Sequence, residues 1–188
     1  MAAVADDARD PAAYATDIEA ARDRLVSFVS SCADREWHAA PLDGDSRPVA
    51  VVVDHVAHAY DYLAGWIRQL VAGQPVEVSS QTVDTPNAQH AQAAAAVTKA
   101  EETEHLRRGG HAISRLVAGL HAADLAAGDG MVRRLAQIAA RHADDHRTGI
   151  QAAPTGRGAE HDLYPAARDA RSGAARFQCV LAPSLPAA

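Results

Sequence analysis

This chain predicts an all-α protein, a four-helix bundle, and three observations carry the expectation. Only 4% of its 188 residues are aromatic, while alanine is abundant; small side chains at that density favour closely packed helices over a sheet. Apolar residues recur at alternating steps of four and three through long segments, the period of a helix with one buried stripe. Proline and most of the closely spaced glycines fall between those segments, with the pair noted below as the exception. Hydrophobic residues make up 48% and charged residues 22%, ordinary values for a globular chain long enough to bury one core.

The first helix is predicted from Pro11 to Ala33. Tyr14, Ile18, Ala21, Leu25, Phe28 and Cys32 step by 4, 3, 4, 3 and 4, and the chain breaks near Asp34. A loop through Leu42 and Ser46 leads to Pro48, which suits the first turn of a second helix because its missing N–H goes unused there. Val52, Val56, Ala59, Leu63, Trp66 and Leu70 repeat the same steps, and Gly73 supplies a stop. Residues 74–84 read as an ordered loop. Thr85-Pro86 is a helix-start signal, so a long third helix is expected from there to Leu120. Gly109-Gly110 lies inside it, costs roughly 1 kcal/mol per glycine relative to alanine, and suggests a kink. Gly128-Asp129-Gly130 separates it from a fourth helix, Met131 to about Ala152. The first domain is therefore residues 11–153. Residues 154–188, punctuated by Gly156, Gly158, Pro165, Gly173, Pro183 and Pro186, read as a weakly ordered tail.

Charge and composition exclude several classes of function. A net charge of −6 with dispersed arginines does not suit nucleic acid. The amino-terminal residues lack the basic and apolar regions of a signal peptide, and no apolar run approaches the ~18 residues of a membrane span. Two cysteines fit a reducing cytosol better than a disulfide scaffold, so the expected location is cytoplasmic. Cys32 on a helical seam reads as a buried structural thiol. A two-fold homodimer is the default assembly for a small soluble chain.

The chemistry concentrates in the fourth helix. His142 and His146 stand one turn apart on one face, the spacing by which a helix offers two nitrogens to one metal. On a helical wheel they fall within about 20° of Leu135, in the middle of the apolar stripe. An unsatisfied buried imidazole costs on the order of 1–3 kcal/mol, so two of them aimed into a core require a partner, and a metal is one. A third ligand is sought on the second helix, in Val53-Asp54-His55-Val56-Ala57-His58. There His55 borders the apolar seam, whereas the wheel turns His58 and Asp54 progressively toward solvent; the angle selects His55.

Other arrangements are weaker. Ala143 follows His142, so the glutamate of the His-Glu-x-x-His metalloprotease motif is missing. Glu101, Glu102 and Glu104 read as a solvated helix face. A di-iron carboxylate site needs Glu-x-x-His pairs on two helices, and the fourth helix has no glutamate. His105, His111 and His121 are expected on the exposed side or ends of the third helix, and His38, His90 and His161 suggest no partner.

One histidine on helix two with His-x-x-x-His on helix four resembles the DinB-like metalloprotein superfamily, over about Ala12 to Ala153. That group includes thiol-dependent S-transferases and the metal-binding domain of mycothiol-dependent maleylpyruvate isomerase. Asp34-Arg35-Glu36-Trp37 matches an acidic-Trp phrase often found after the family's first helix. The resemblance implies an up-down-down-up bundle and His55, His142 and His146 as ligands of zinc or nickel, with water in the open positions. It also implies a metal-held low-molecular-weight thiol attacking a small electrophile. An alanine- and arginine-rich composition makes mycothiol the first thiol to try. The alternative is a metal-binding or structural bundle without catalysis. Two departures stand out: the Gly109-Gly110 pair, and the lack of a recognisable carboxy-terminal domain of the isomerase kind. No catalytic base is assigned. Asp145 is a candidate to orient a ligand imidazole, His58 is the nearest titratable neighbour, and Tyr62 and Trp66, on the His55 side, are candidates to line a pocket.

Overall fold

A computed structural model describes residues 9–39, 47–76 and 97–152. Among these, α1 spans Pro11–Ser31, α2 Asp34–Trp37, α3 Val49–Val71, α4 Lys99–Ala118 and α5 Ala127–Ala152, with a short 3-10 turn at Ala122–Ala126 before α5. No strand occurs among the described residues. The expected loop at 42–46, most of the 74–84 loop, the Thr85-Pro86 signal, and the tail with Cys179 and His161 lie outside them, as does His90.

Local chemistry explains the helix ends. Asp10 Oδ1 accepts from the Ala12 N–H at 2.8 Å, and Pro11 fills the first helical position of α1. At the end of α3, Gly73 takes φ +73°, its N–H donates to Leu70 O, and the Gln74 N–H reaches Gln69 O. That paired closure around a left-handed residue is a Schellman cap. Inside the first turn of α5, Gly128, Asp129 and Gly130 all adopt positive φ, so regular helix resumes at Met131 as the glycine pattern predicts.

The third long helix differs from expectation. A single helix from Thr85 to Leu120 is ruled out, because Val97 and Thr98 are not helical and α4 starts at Lys99. A capping box sets this start: Thr98 Oγ1 accepts from the Glu101 N–H, and Glu101 Oε2 accepts from the Thr98 N–H. The kink expected at Gly109-Gly110 is also absent. Both glycines are buried inside a continuous α4, where a side chain at Gly110 would collide with Arg22 and one at Gly109 would sit in contact with α3. A Cβ at Gly110 would lie 2.6 Å from Arg22 Cδ of α1, and one at Gly109 would lie 3.4 Å from the Ala57 carbonyl oxygen of α3. The glycines let α4 approach both neighbours closely, which outweighs their poor helix propensity.

α1 packs against α4 and α5, and α3 packs against the same two, so α1 faces α3 across the bundle. Lys99 reaches Cys32 O and Ser114 donates to Glu19, which makes α1 and α4 antiparallel. Gly128 abuts Leu70 while His146 meets His55, which makes α3 and α5 antiparallel. His105 meets His58, and four residues on Gly109 meets Tyr60, so α3 and α4 are parallel. The result is an up-down-down-up bundle. Trp37, on α2, is 2% exposed and its Nε1–H donates to Val97 O at 3.2 Å. It ties the end of α1 to the approach of α4. No helix among the described residues is long and apolar enough to cross a membrane.

Candidate metal centre

α5 presents its histidines from a wall of small residues. Ala136, Ala139 and Ala143 are fully buried, which leaves room for imidazoles where Leu or Ile would fill the seam. His142 is 1% and His146 6% exposed. Across the interface α3 contributes His55, half-buried in its second turn. Ring centroids lie 5.2 Å apart for His55 and His142, 5.1 Å for His55 and His146, and 4.6 Å for His142 and His146. All three pairs meet edge to face, and one nitrogen from each ring falls within 4.8 Å of the other two.

Both nitrogens of His142 are buried without a hydrogen-bond partner among the described residues. Burial, then the neighbouring His146 and His55, hold its pKa well below that of a free imidazole. The ring is therefore neutral at pH 7, with a lone pair directed into a dry interior. A stable fold seldom leaves such a group unanswered; a cation shared by three imidazoles answers it. The donor set fits a divalent transition metal. The nearby charged groups serve the scaffold: Asp144, between the two histidines in sequence but turned to another face of α5, accepts from Arg24 of α1 and from Arg147.

A second group lies on the neighbouring face of α3, turned to α4. Asp54 and His58, one turn apart, meet His105 of α4, again with ligand atoms within 4.8 Å. The placement of Asp54 and His58 toward solvent is thus overturned: Asp54 is 5% exposed and His58 is half-buried. A wheel with one buried stripe fails here because α3 buries Val49 to Asp54 without a break, a much wider face than the spaced stripe of α1. The solvated reading of the acidic run fails at Glu102, which is 2% exposed. His105, expected on an exposed side, is held between Asp61 Oδ2 at 3.2 Å and Glu102 Oε1 at 3.3 Å. The spacings Asp54–His58 (i, i+4) and Glu102–His105 (i, i+3) were a readable signal of paired groups. Asp145 does not orient a ligand ring: it is exposed and sits 4.0 Å from Arg141. Tyr62 and Trp66 stack on each other at 6.3 Å.

The two groups imply opposite pH limbs for the metal-free protein. His142 is depressed below the ordinary 6.5, so the unfolded chain binds more protons and stability falls as pH drops below about 6.5. His105 is raised to about 9, first by the Glu102 carboxylate beside it and then, against burial, by Asp61. Its contribution is complete below pH 6.5 and is lost as pH rises toward 9. His58, raised by Asp54, adds to that alkaline limb. Denaturant midpoints of chelator-treated protein from pH 5 to 10 should therefore peak near neutrality. His142→Leu is expected to flatten the acid limb alone, and His105→Gln to reduce the alkaline one.

Comparison with curated proteins and with solved structures found no match. A family model described as the DinB superfamily matches residues 17–150, more than two thirds of the chain and a span that holds both histidine-bearing seams of the tripod. Domains of this family are in general metal-binding. With the up-down-down-up bundle and the three convergent imidazoles, the match establishes that this chain belongs to the DinB superfamily.

Proposed function

We propose that His55, His142 and His146 bind one divalent metal ion, zinc or nickel, and that the protein transfers a low-molecular-weight thiol to a small electrophile. The observation that carries the metal reading is the fully buried, unpartnered His142 facing two further imidazoles. A divalent ion held by three neutral imidazoles supplies Lewis acidity, keeps positions open, and lowers the pKa of a bound thiol so that thiolate is available near pH 7.

The chain's own residues act by placement. His142 and His146 are fixed by the helix at one turn's separation. His55 approaches from the antiparallel α3, so the nitrogens come from two elements locked by a shared core. Burial keeps His142 unprotonated, and no proton has to leave that ring when a cation binds. The alanine wall excludes water from the inner side of the site, while half-buried His55 marks its accessible side. The transferase assignment draws its support from this open ligand set and from family membership; a small thiol such as mycothiol, in a cytoplasmic setting, is the cosubstrate that reading implies.

Elemental analysis of protein purified without a histidine tag should find one equivalent of metal that is lost in a His142→Ala, His146→Ala double variant, whatever other metal the chain retains. The loaded protein, given small bacterial thiols and a reactive electrophile, should then consume both in equal amounts. A metal-loaded protein inert toward every such thiol would leave metal binding standing and end the transferase reading.

A further inference from the structure

We propose that Asp54, His58 and His105 form a second divalent-cation site between α3 and α4, separate from the three-histidine group between α3 and α5. Successive residues on a helix diverge by about 100°, so Asp54 and His55 serve different seams although they are neighbours in sequence.

Three features make this group more than a packed ion pair. First, Asp54 Oδ2 is buried with no hydrogen-bond partner among the described residues, in a side chain only 5% exposed. A buried carboxylate oxygen left unanswered is costly. Second, His58 Nδ1 lies 3.0 Å from the Asp54 carbonyl oxygen, which can only accept, and 3.3 Å from Asp54 Oδ1. The carbonyl contact orients the ring within the group, the way ligating imidazoles are commonly held. Third, His105 brings its own carboxylates. Glu102, 2% exposed, and Asp61 flank its two nitrogens, and Glu102 Oε1 has no well-formed hydrogen bond of its own. A cation would take one His105 nitrogen, with one flanking carboxylate remaining as acceptor for the other ring N–H and the second free to join the metal.

Two imidazoles with one or two carboxylates form a mixed nitrogen–oxygen set suited to zinc, cobalt or manganese. Here the ligands carry negative charge, whereas the three-histidine group carries none. The probe is cobalt(II) alone, added to the full chain after metal removal and freed of excess by gel filtration, with bound cobalt counted by elemental analysis. The wild type is expected to hold two equivalents. His58→Gln, and separately His105→Gln with Glu102→Gln, should each hold one. His142→Ala with His146→Ala should also hold one, and combining it with His58→Gln should leave none.

The equivalent retained at the three-histidine group reports that each variant is folded, and the two independent sets guard against one of them failing to fold. The second site is overturned if His142→Ala with His146→Ala holds no cobalt, or if the His58 and His105 variants keep the wild-type count. Failure of the three-histidine reading gives the reverse pattern: cobalt unaffected by His142 and His146 but lost with His58.

Discussion

Replacing His142 with leucine is expected to remove the metal of the three-histidine group while leaving the metal-free protein at least as stable at pH 7. The two halves of that result have different causes. Without metal, the His142 ring is buried with neither nitrogen bonded among the described residues, a state that costs on the order of 1–3 kcal/mol. Leucine has a similar volume, brings no polar atom, and fits a seam whose neighbours include Ala139 and Ala143. A histidine kept for structure would behave in the opposite way, since replacing it would break bonds that hold the fold.

With metal, the order reverses. A ligand that binds only the folded state stabilises it by RT ln(1 + [L]/Kd), about 2.7 kcal/mol at a hundredfold excess over Kd. The wild type should gain this stabilisation from the three-histidine group and the variant should lose that increment, because two imidazoles hold a cation far less well than three. Denaturant melts of both proteins, with chelator and with zinc, measure all four states. A variant less stable than wild type in chelator by more than about 2 kcal/mol would mean that the ring is structural.

Much of this site was legible before any coordinates, and the part that was not has a clear cause. Tyr14, Ile18, Ala21 and Leu25 of α1 are all fully buried as their spacing predicts, because that helix has one dominant stripe. His142 and His146 could be read in the same way, as interruptions of a single apolar face on α5. His55 was within reach because it borders such a face. Asp54 and His58 were misread because α3 buries Val49 to Asp54 without a break, a face wider than the single stripe a wheel assigns, and Glu102 and His105 of α4 were misread because they face that side of α3. Gly109 and Gly110 show the same limit. Their cost to a helix can be read locally, but the close approach of Arg22 to Gly110 is a property of the assembled bundle.

Trp37→Ala is expected to cost about 3–5 kcal/mol, the range for removing a large buried aromatic, and to be the most damaging single truncation outside the helical seams. Trp37 is almost wholly buried although it sits on a helix of only four residues, and its Nε1–H is bonded to Val97 just ahead of the Thr98 cap. Nearby, Val49 N–H donates to Ala39 O, so the entry to α3 hangs from the same corner. Removing the indole opens a cavity where α1, α3 and α4 are fastened together. Trp37→Phe keeps most of the volume and should lose far less, about 1 kcal/mol of it from the hydrogen bond. The three imidazoles come from α3 and α5, so the alanine variant should still bind metal. Zinc in hundredfold excess over Kd should then restore about 2.7 kcal/mol to it, the same increment as in wild type. Equal zinc increments in the two proteins, read from denaturant midpoints at constant m-value, would show that the Trp37 corner supports the bundle without positioning the metal. A smaller increment in the variant would instead show that this corner also sets where α3 carries His55.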